Sequence, residues 1–203
     1  MVGVAYNEPM HIRSFEKLSH HLKPGNVYRR ETLLFYSNAV DRDLVRLSKE
    51  KVLEKVAPGL YYAPKTSRFG YLPPDETLLI KAFLRDDQFL LFSRNEYNTL
   101  GLGLTQLYNR TVVYNYKRHG VFKLGNQTYD FRRPARGFPK KITHAFLIVD
   151  LLNNLNELAE ENSESLKIKI RSKLSPVLLK QASRCAKQYG KMATQKFFRE
   201  LIK

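Results

Sequence analysis

An α+β fold is predicted by three features of this 203-residue chain. Apolar residues recur at spacings of three and four through residues 12–47, then give way to two short runs flanking Pro58-Gly59. Residues 89–131 hold β-branched and aromatic runs broken by turn residues. Residues 141–202 return to the helical period.

The elements follow in order. Ile12, Phe15, Leu18 and Leu22 make the apolar stripe of a first helix over Pro9–Leu22, which Lys23-Pro-Gly-Asn26 stops. Val27-Tyr28 is long enough only for a small bridging strand, and Arg30–Phe35 forms a short second helix with Leu33 and Leu34 inward. Ser37 or Asn38 caps a third helix running to about Lys51, whose inward stripe is Val40, Leu44 and Leu47. Asn38, Asp41, Arg42, Val45, Arg46 and Lys49 fall on its other faces. Residues 52–57, the Pro58-Gly59 turn and residues 60–63 then read as strand, tight turn and strand. Helix, short helix, helix, hairpin is the order of a winged helix-turn-helix, which sets a first domain at residues 1–66; a small helical domain with an incidental hairpin is the plainer alternative.

A second domain follows over residues 67–203, a mixed α+β arrangement with a small antiparallel sheet and a basic helical C-terminus. Residues 67–77 read as a break, because Pro73-Pro74 resists helix until Asp75 caps one over Glu76–Leu84. Phe89–Phe92 is a short buried strand, Ser93 caps a helix containing Tyr97 and Leu100, and Gly101 ends it. Arg110–Tyr116 is strand-like, and residues 121–131 form a hairpin turning at Gly125-Asn126. Lys141–Ala159 reads as a long amphipathic helix through Phe146, Ile148, Val149, Leu151, Leu152 and Leu155. Two more helices are expected, at Pro176–Tyr189 and Lys191–Ile202, with Gly190 between them.

Composition narrows the function classes. With 43% apolar and 12% aromatic residues the chain buries a real core, which excludes a wholly disordered tail protein. No apolar run approaches the roughly 20 residues a membrane-spanning helix needs, and the first residues lack the pattern of a secretory signal, so a cytoplasmic protein without membrane contact is expected. Lone Cys185 makes no internal disulfide; on a lysine-rich helix its pKa is open to lowering, but nothing supplies a base. His20-His21 has no partner at ligand spacing and reads as a helix-end cation, so no metal and no cofactor are expected. Gly101-Leu-Gly103 lacks the third glycine of a dinucleotide site and reads as a tight turn. With no catalytic constellation in sight, the chain is not read as an enzyme.

The charge is +16, from 35 Lys and Arg against 19 Asp and Glu, and a polyanion is the indicated partner. Ser165–Lys203 alone carries 11 basic residues against Glu200. A solvated helical face and a contact surface for nucleic acid or an acidic protein both fit that composition. On the third helix, Asn38 and Arg42 are the candidates for base edges, since an amide pairs with adenine and a guanidinium fork with guanine. Arg46 and Lys49 further along, Arg29 and Arg30 at the start of the second helix, and Lys55 on the hairpin are the candidates for phosphates. Tyr61 and Tyr62 read as packed residues of the hairpin.

Three stretches resemble the AbiEi-like antitoxins of bacterial type IV toxin–antitoxin systems. Leu44–Tyr62 is similar to that family's recognition helix, basic turn and wing; Tyr97-Asn-Thr-Leu-Gly-Leu-Gly-Leu-Thr-Gln106 resembles the start of its second domain. Tyr114–Gly125 with Tyr129-Asp-Phe131 resembles the strand and hairpin that follow, and Tyr189-Gly190 before Thr194–Phe198 an ending seen in some relatives. Gly103 departs from the pattern, standing where threonine is usual. The resemblance implies a winged helix that binds inverted repeats in double-stranded DNA of its own promoter and represses it. It also implies a C-terminal antitoxin domain countering a nucleotidyltransferase-like toxin without stable binding to it. The alternative is a protein- or RNA-binding module, directed for instance at tRNA or toxin, whose winged helix does not read DNA.

Overall fold

The computed structural model describes residues 10–158 and 163–202; the expected helix ends Pro9 and Ala159 lie outside them. The fold is mixed α+β, with small sheets and C-terminal helices. The chain divides into two compact units, one running to Asp87 and including Lys123–Gln127, the other comprising Gln88–Phe122 and the residues from Thr128 onward.

In the first unit α1 (Met10–His21) precedes β1 (Val27–Arg29), α2 (Arg30–Leu33) and α3 (Val40–Lys49); β2 (Glu54–Ala57) and β3 (Leu60–Tyr62) follow. The three strands form an antiparallel sheet in the order β1-β3-β2. Gly59 turns the β2–β3 hairpin at φ +69°, a conformation costly for any residue with a Cβ. Leu18, Tyr28, Leu33, Val40, Leu44, Leu47, Leu53 and Ala63 form the core, with Phe15 and Leu22 of the α1 stripe packed at its edge.

The unit does not stop at residue 66. Residues 67–77 are not a plain break: β4 (Lys65–Ser67) and β5 (Gly70–Leu72) pair as a two-stranded ribbon, and α4 (Glu76–Leu84) follows. Two side chains tie this extension back. The phenol of buried Tyr62 donates to the Leu72 carbonyl at 2.9 Å, and the Arg29 guanidinium donates to the carbonyls of Ala82 and Phe83 in the last turn of α4, at 2.5 and 3.4 Å. Asp75 caps α4 as its position indicates, its carboxylate accepting from Leu78 N–H at 2.9 Å.

The second unit is built on a four-stranded sheet of β6 (Phe89–Ser93), β7 (Thr111–Asn115), β8 (Gly120–Leu124) and β9 (Gln127–Arg132), in the order β6-β7-β9-β8, of which only the hairpin end Lys123–Gln127 is counted with the first unit. β6 pairs antiparallel with β7, but β9 inserts beside β7 in parallel, so this sheet is mixed. Ser93 and Glu96 form a capping box at a 3₁₀ segment, Arg94–Leu100, which Gly101 ends in a left-handed conformation.

Helix α5 (His144–Asn153) is shorter than Lys141–Ala159 and is not amphipathic: every residue from Ala145 to Leu152 is buried. A helix apolar on all sides belongs at the centre of a unit, and α5 packs against the 3₁₀ segment, α7 (Pro176–Tyr189) and α8 (Met192–Leu201). An additional helix, α6 (Ser163–Lys173), precedes them. Gly190 joins α7 to α8 where a Cβ would meet the Ala186 carbonyl oxygen at 2.5 Å, so only glycine fits.

Candidate nucleic-acid interface

Helix α3 forms because Val40, Leu44 and Leu47, each at most 3% exposed, bury one stripe in the core. Its start is held differently from a simple cap. The N-terminal flanking residue is Ala39, with no side-chain cap; Ser37 Oγ instead accepts from the Ala39 N–H at 3.0 Å and donates to Asp43 Oδ2 at 2.5 Å. Ser14 Oγ of α1 donates to Ser37 Oγ at 3.2 Å and accepts from the Asn38 N–H at 3.2 Å. This buried chain of Ser14, Ser37 and Asp43 fixes where α3 begins relative to α1, and so sets the heading of its outer face. Asp43 carried no signal of this role beyond being an acidic residue on the inward side of an amphipathic helix.

That outer face exposes Arg42, Arg46 and Lys49; Asn38, expected on the helix, is exposed in the turn two residues before it, because α3 begins only at Val40, and Lys55 is exposed on β2. Arg30 forms a two-pronged pair with Asp41 at 2.6 and 2.5 Å, which raises the guanidinium pKa and holds the Asp41 carboxyl below its usual range. Arg46 donates to Glu50 at 2.8 Å and lies over the Phe15 ring at 4.0 Å. Among the seven candidates, therefore, Arg30 and Arg46 sit in solvent-exposed pairs. Arg29 stands apart. Its side chain is only 19% exposed and is committed to α4 and, at 3.3 Å, to Glu31. Sequence adjacency makes Arg29 and Arg30 look alike; they face different partners.

Two exposed apolar residues belong to this surface. Val45, 57% exposed on the outer face of α3 one turn from Arg42, offers an apolar contact there; the signal is a β-branched residue on a polar face. Phe35, 88% exposed, stands just before α3.

The second unit holds polar groups of another kind. Asp150, 3% exposed in α5, accepts from the phenols of Tyr97 and Tyr114 at 2.6 Å each, and Asn154 Nδ2 donates to the same carboxylate at 3.3 Å. Burial pushes the Asp150 carboxyl up, against the phenol hydrogen bonds that favour its charge. Beside it Glu157 accepts from Arg132 at 2.7 Å and Arg94 at 2.5 Å, Arg132 also reaches Asp130 at 2.8 Å, and these donors bring the Glu157 carboxyl down to about 2. These four charged residues, with Tyr108 and Arg110, line a cleft of about 420 Å³. A second groove, of about 470 Å³, runs among the C-terminal helices and is lined by Lys167, Arg171, Lys191 and Lys196, with Glu164 and Glu200. Cys185 is not activated by its lysine-rich helix: burial raises its thiol to about 11.

Among the described residues no group of three or more His, Cys, Asp or Glu is placed to hold a metal ion, and no helix is long and apolar enough to cross a membrane. Comparison places the chain in a family. Residues 15–184 match DUF6088, a family of unknown function, and the chain belongs to it. No curated protein and no solved structure matches the sequence.

Proposed function

We propose, taking as premise a family that brings no assigned activity with it, that the chain is a DNA-binding transcriptional autorepressor and the antitoxin of a type IV toxin–antitoxin system. On this reading the first unit is a winged helix-turn-helix, with α3 in the major groove and the β2–β3 hairpin as its wing. Asn38 and Arg42 meet base edges, and Val45 offers an apolar contact to a thymine methyl group. Arg46, Lys49 and Lys55 hold phosphates. Arg30 joins them by exchanging exposed Asp41 for a phosphate, while Arg29 acts by fixing α4.

The observation that carries the reading is α3 itself: three apolar residues anchor one side while Arg42, Arg46 and Lys49 occupy the other in solvent, with Asn38 exposed in the turn that leads into it. The antitoxin half rests on the resemblance of residues 97–131 to AbiEi-like antitoxins, which act against a nucleotidyltransferase-like toxin.

A reporter driven by the DNA upstream of the coding sequence tests both halves when combined with expression of the neighbouring gene. The intact chain is expected to repress the reporter and relieve growth arrest by a nucleotidyltransferase encoded there. Arg42→Ala is expected to lose repression and keep the relief. An unrepressed reporter and no relief would contradict the proposal. The groove of Lys167, Arg171, Lys191 and Lys196 supports a second reading, in which the chain holds a structured RNA such as tRNA. Competition of the upstream duplex against tRNA separates the two.

A further inference from the structure

The β4–β5 ribbon exposes what folded proteins ordinarily cover. Phe69 is 87% exposed, Tyr71 63% and Leu72 41%, on a sheet of only two strands. A two-stranded ribbon is marginal by itself, yet this one is tied at both ends. At the root, the Tyr62 phenol donates to the Leu72 carbonyl and accepts from the Lys65 N–H at 3.3 Å. At the tip, Ser67 Oγ accepts from the Phe69 N–H at 3.2 Å and donates to the Gly70 carbonyl at 3.1 Å, while Gly70 takes a φ of +113° that residues with a Cβ rarely adopt. Arg68 and Phe69 make the two-residue turn, the guanidinium lying over the ring at 4.8 Å. From Lys55 to Pro74 the only charges are Lys55, Lys65 and Arg68, with no acidic residue.

We infer that this ribbon is a DNA arm that places Arg68 and Phe69 in the minor groove beside the segment read by α3. The inference rests on the DNA-binding reading above. Its chemistry is that of minor-groove contact. A two-residue tip is narrow enough for a groove about 6 Å wide, an arginine there meets the negative potential of A·T-rich steps, and an adjacent aromatic ring serves as an apolar wedge between bases. A ribbon without carboxylates approaches phosphates unopposed. A second copy of this chain is a poor occupant, because it brings another +16 of like charge.

Methylation interference with the full chain tests the arm. The probe is the duplex upstream of the coding sequence, treated with dimethyl sulfate, which modifies guanine N7 in the major groove and adenine N3 in the minor groove. The expected pattern is guanine interference within the site and adenine interference beside it. Arg68→Ala and Phe69→Ala each weaken binding roughly tenfold and abolish only the adenine interference. Tyr62→Phe, which loosens the root and leaves the tip intact, weakens binding less. Adenine interference that survives both tip variants, or is absent while guanine interference persists, overturns the arm and leaves the α3 reading standing. Dissociation of a dimer by Phe69→Ala at unchanged DNA affinity assigns the ribbon to a contact between copies and overturns the arm as well. Failure of the intact chain to bind the duplex overturns the arm and the reading beneath it.

Discussion

Both units carry charged residues on a helix, and water decides what those charges do. On α3 the pairs Arg30–Asp41 and Arg46–Glu50 lie in solvent, with side chains 38 to 70% exposed. Such pairs contribute little to stability and change partners cheaply. On α5 the Asp150 carboxylate is sealed with Tyr97, Tyr114 and Asn154, where the same kind of group has no water to replace a lost partner. The first unit therefore presents charge that a polyanion can recruit, whereas the polar centre of the second is part of its framework. The nearest counterpart of Asp150 in the first unit is Asp43, which orients α3 rather than offering itself to a ligand.

The sharpest way to break this contrast is Asp150→Ala. Removing the shared acceptor leaves the O–H donors of two buried phenols without an acceptor, and the unfolding free energy of the second unit is expected to fall by about 3 kcal/mol. Urea titration read by tyrosine fluorescence checks it; a change below about 1 kcal/mol would show that the cluster is not framework. Gly190→Ala comes next. Its Cβ strikes backbone rather than a flexible side chain, and a loss of about 2 kcal/mol is expected in the same titration.

Acid provides a third, smaller test. The Glu157 carboxyl falls from its ordinary 4.5 to about 2, chiefly through the Arg132 hydrogen bond. A folded-state pKa below the unfolded one means stability that is present above pH 4.5 and lost as pH falls toward 2. Glu157 is 39% exposed, so screening holds the contribution to about 1 kcal/mol. Glu157→Gln is expected to flatten that part of the stability–pH curve, as measured by thermal unfolding across the acid range; an unchanged slope would remove Glu157 from the account.

How much of this was legible in the sequence follows from what periodicity records. Val40, Leu44 and Leu47 repeat at the helical spacing because they face one core, and the structure buries all three. α6 escaped notice because Leu166-Lys-Ile-Lys-Ile-Arg171 alternates with the period of a strand, while only Leu166 and Ile170 are buried. The β4–β5 ribbon escaped because its short strands face water on both sides, leaving no alternation, and Pro73-Pro74 follows directly. The apolar positions Phe146 to Leu155 make Lys141–Ala159 look amphipathic, but α5 is only His144–Asn153, and the one charge in its apolar run, Asp150, is not a solvent face but the centre of the polar cluster. Partner choice is the least legible layer. Nothing along the chain separates Arg29, bound to α4, from Arg30, bound to Asp41.

The central claim is that the exposed side of α3 reads double-stranded DNA, and Arg42 tests it most directly. The quantity to measure is the ratio of affinities for the upstream duplex and a scrambled duplex of equal composition, by gel shift at fixed salt. Because Arg42 is exposed on α3, Arg42→Ala is expected to leave unfolding unchanged and cut that ratio about tenfold, with binding to the scrambled duplex nearly unaltered. A ratio identical in the wild type and Arg42→Ala, or equal to one in both, would contradict the claim.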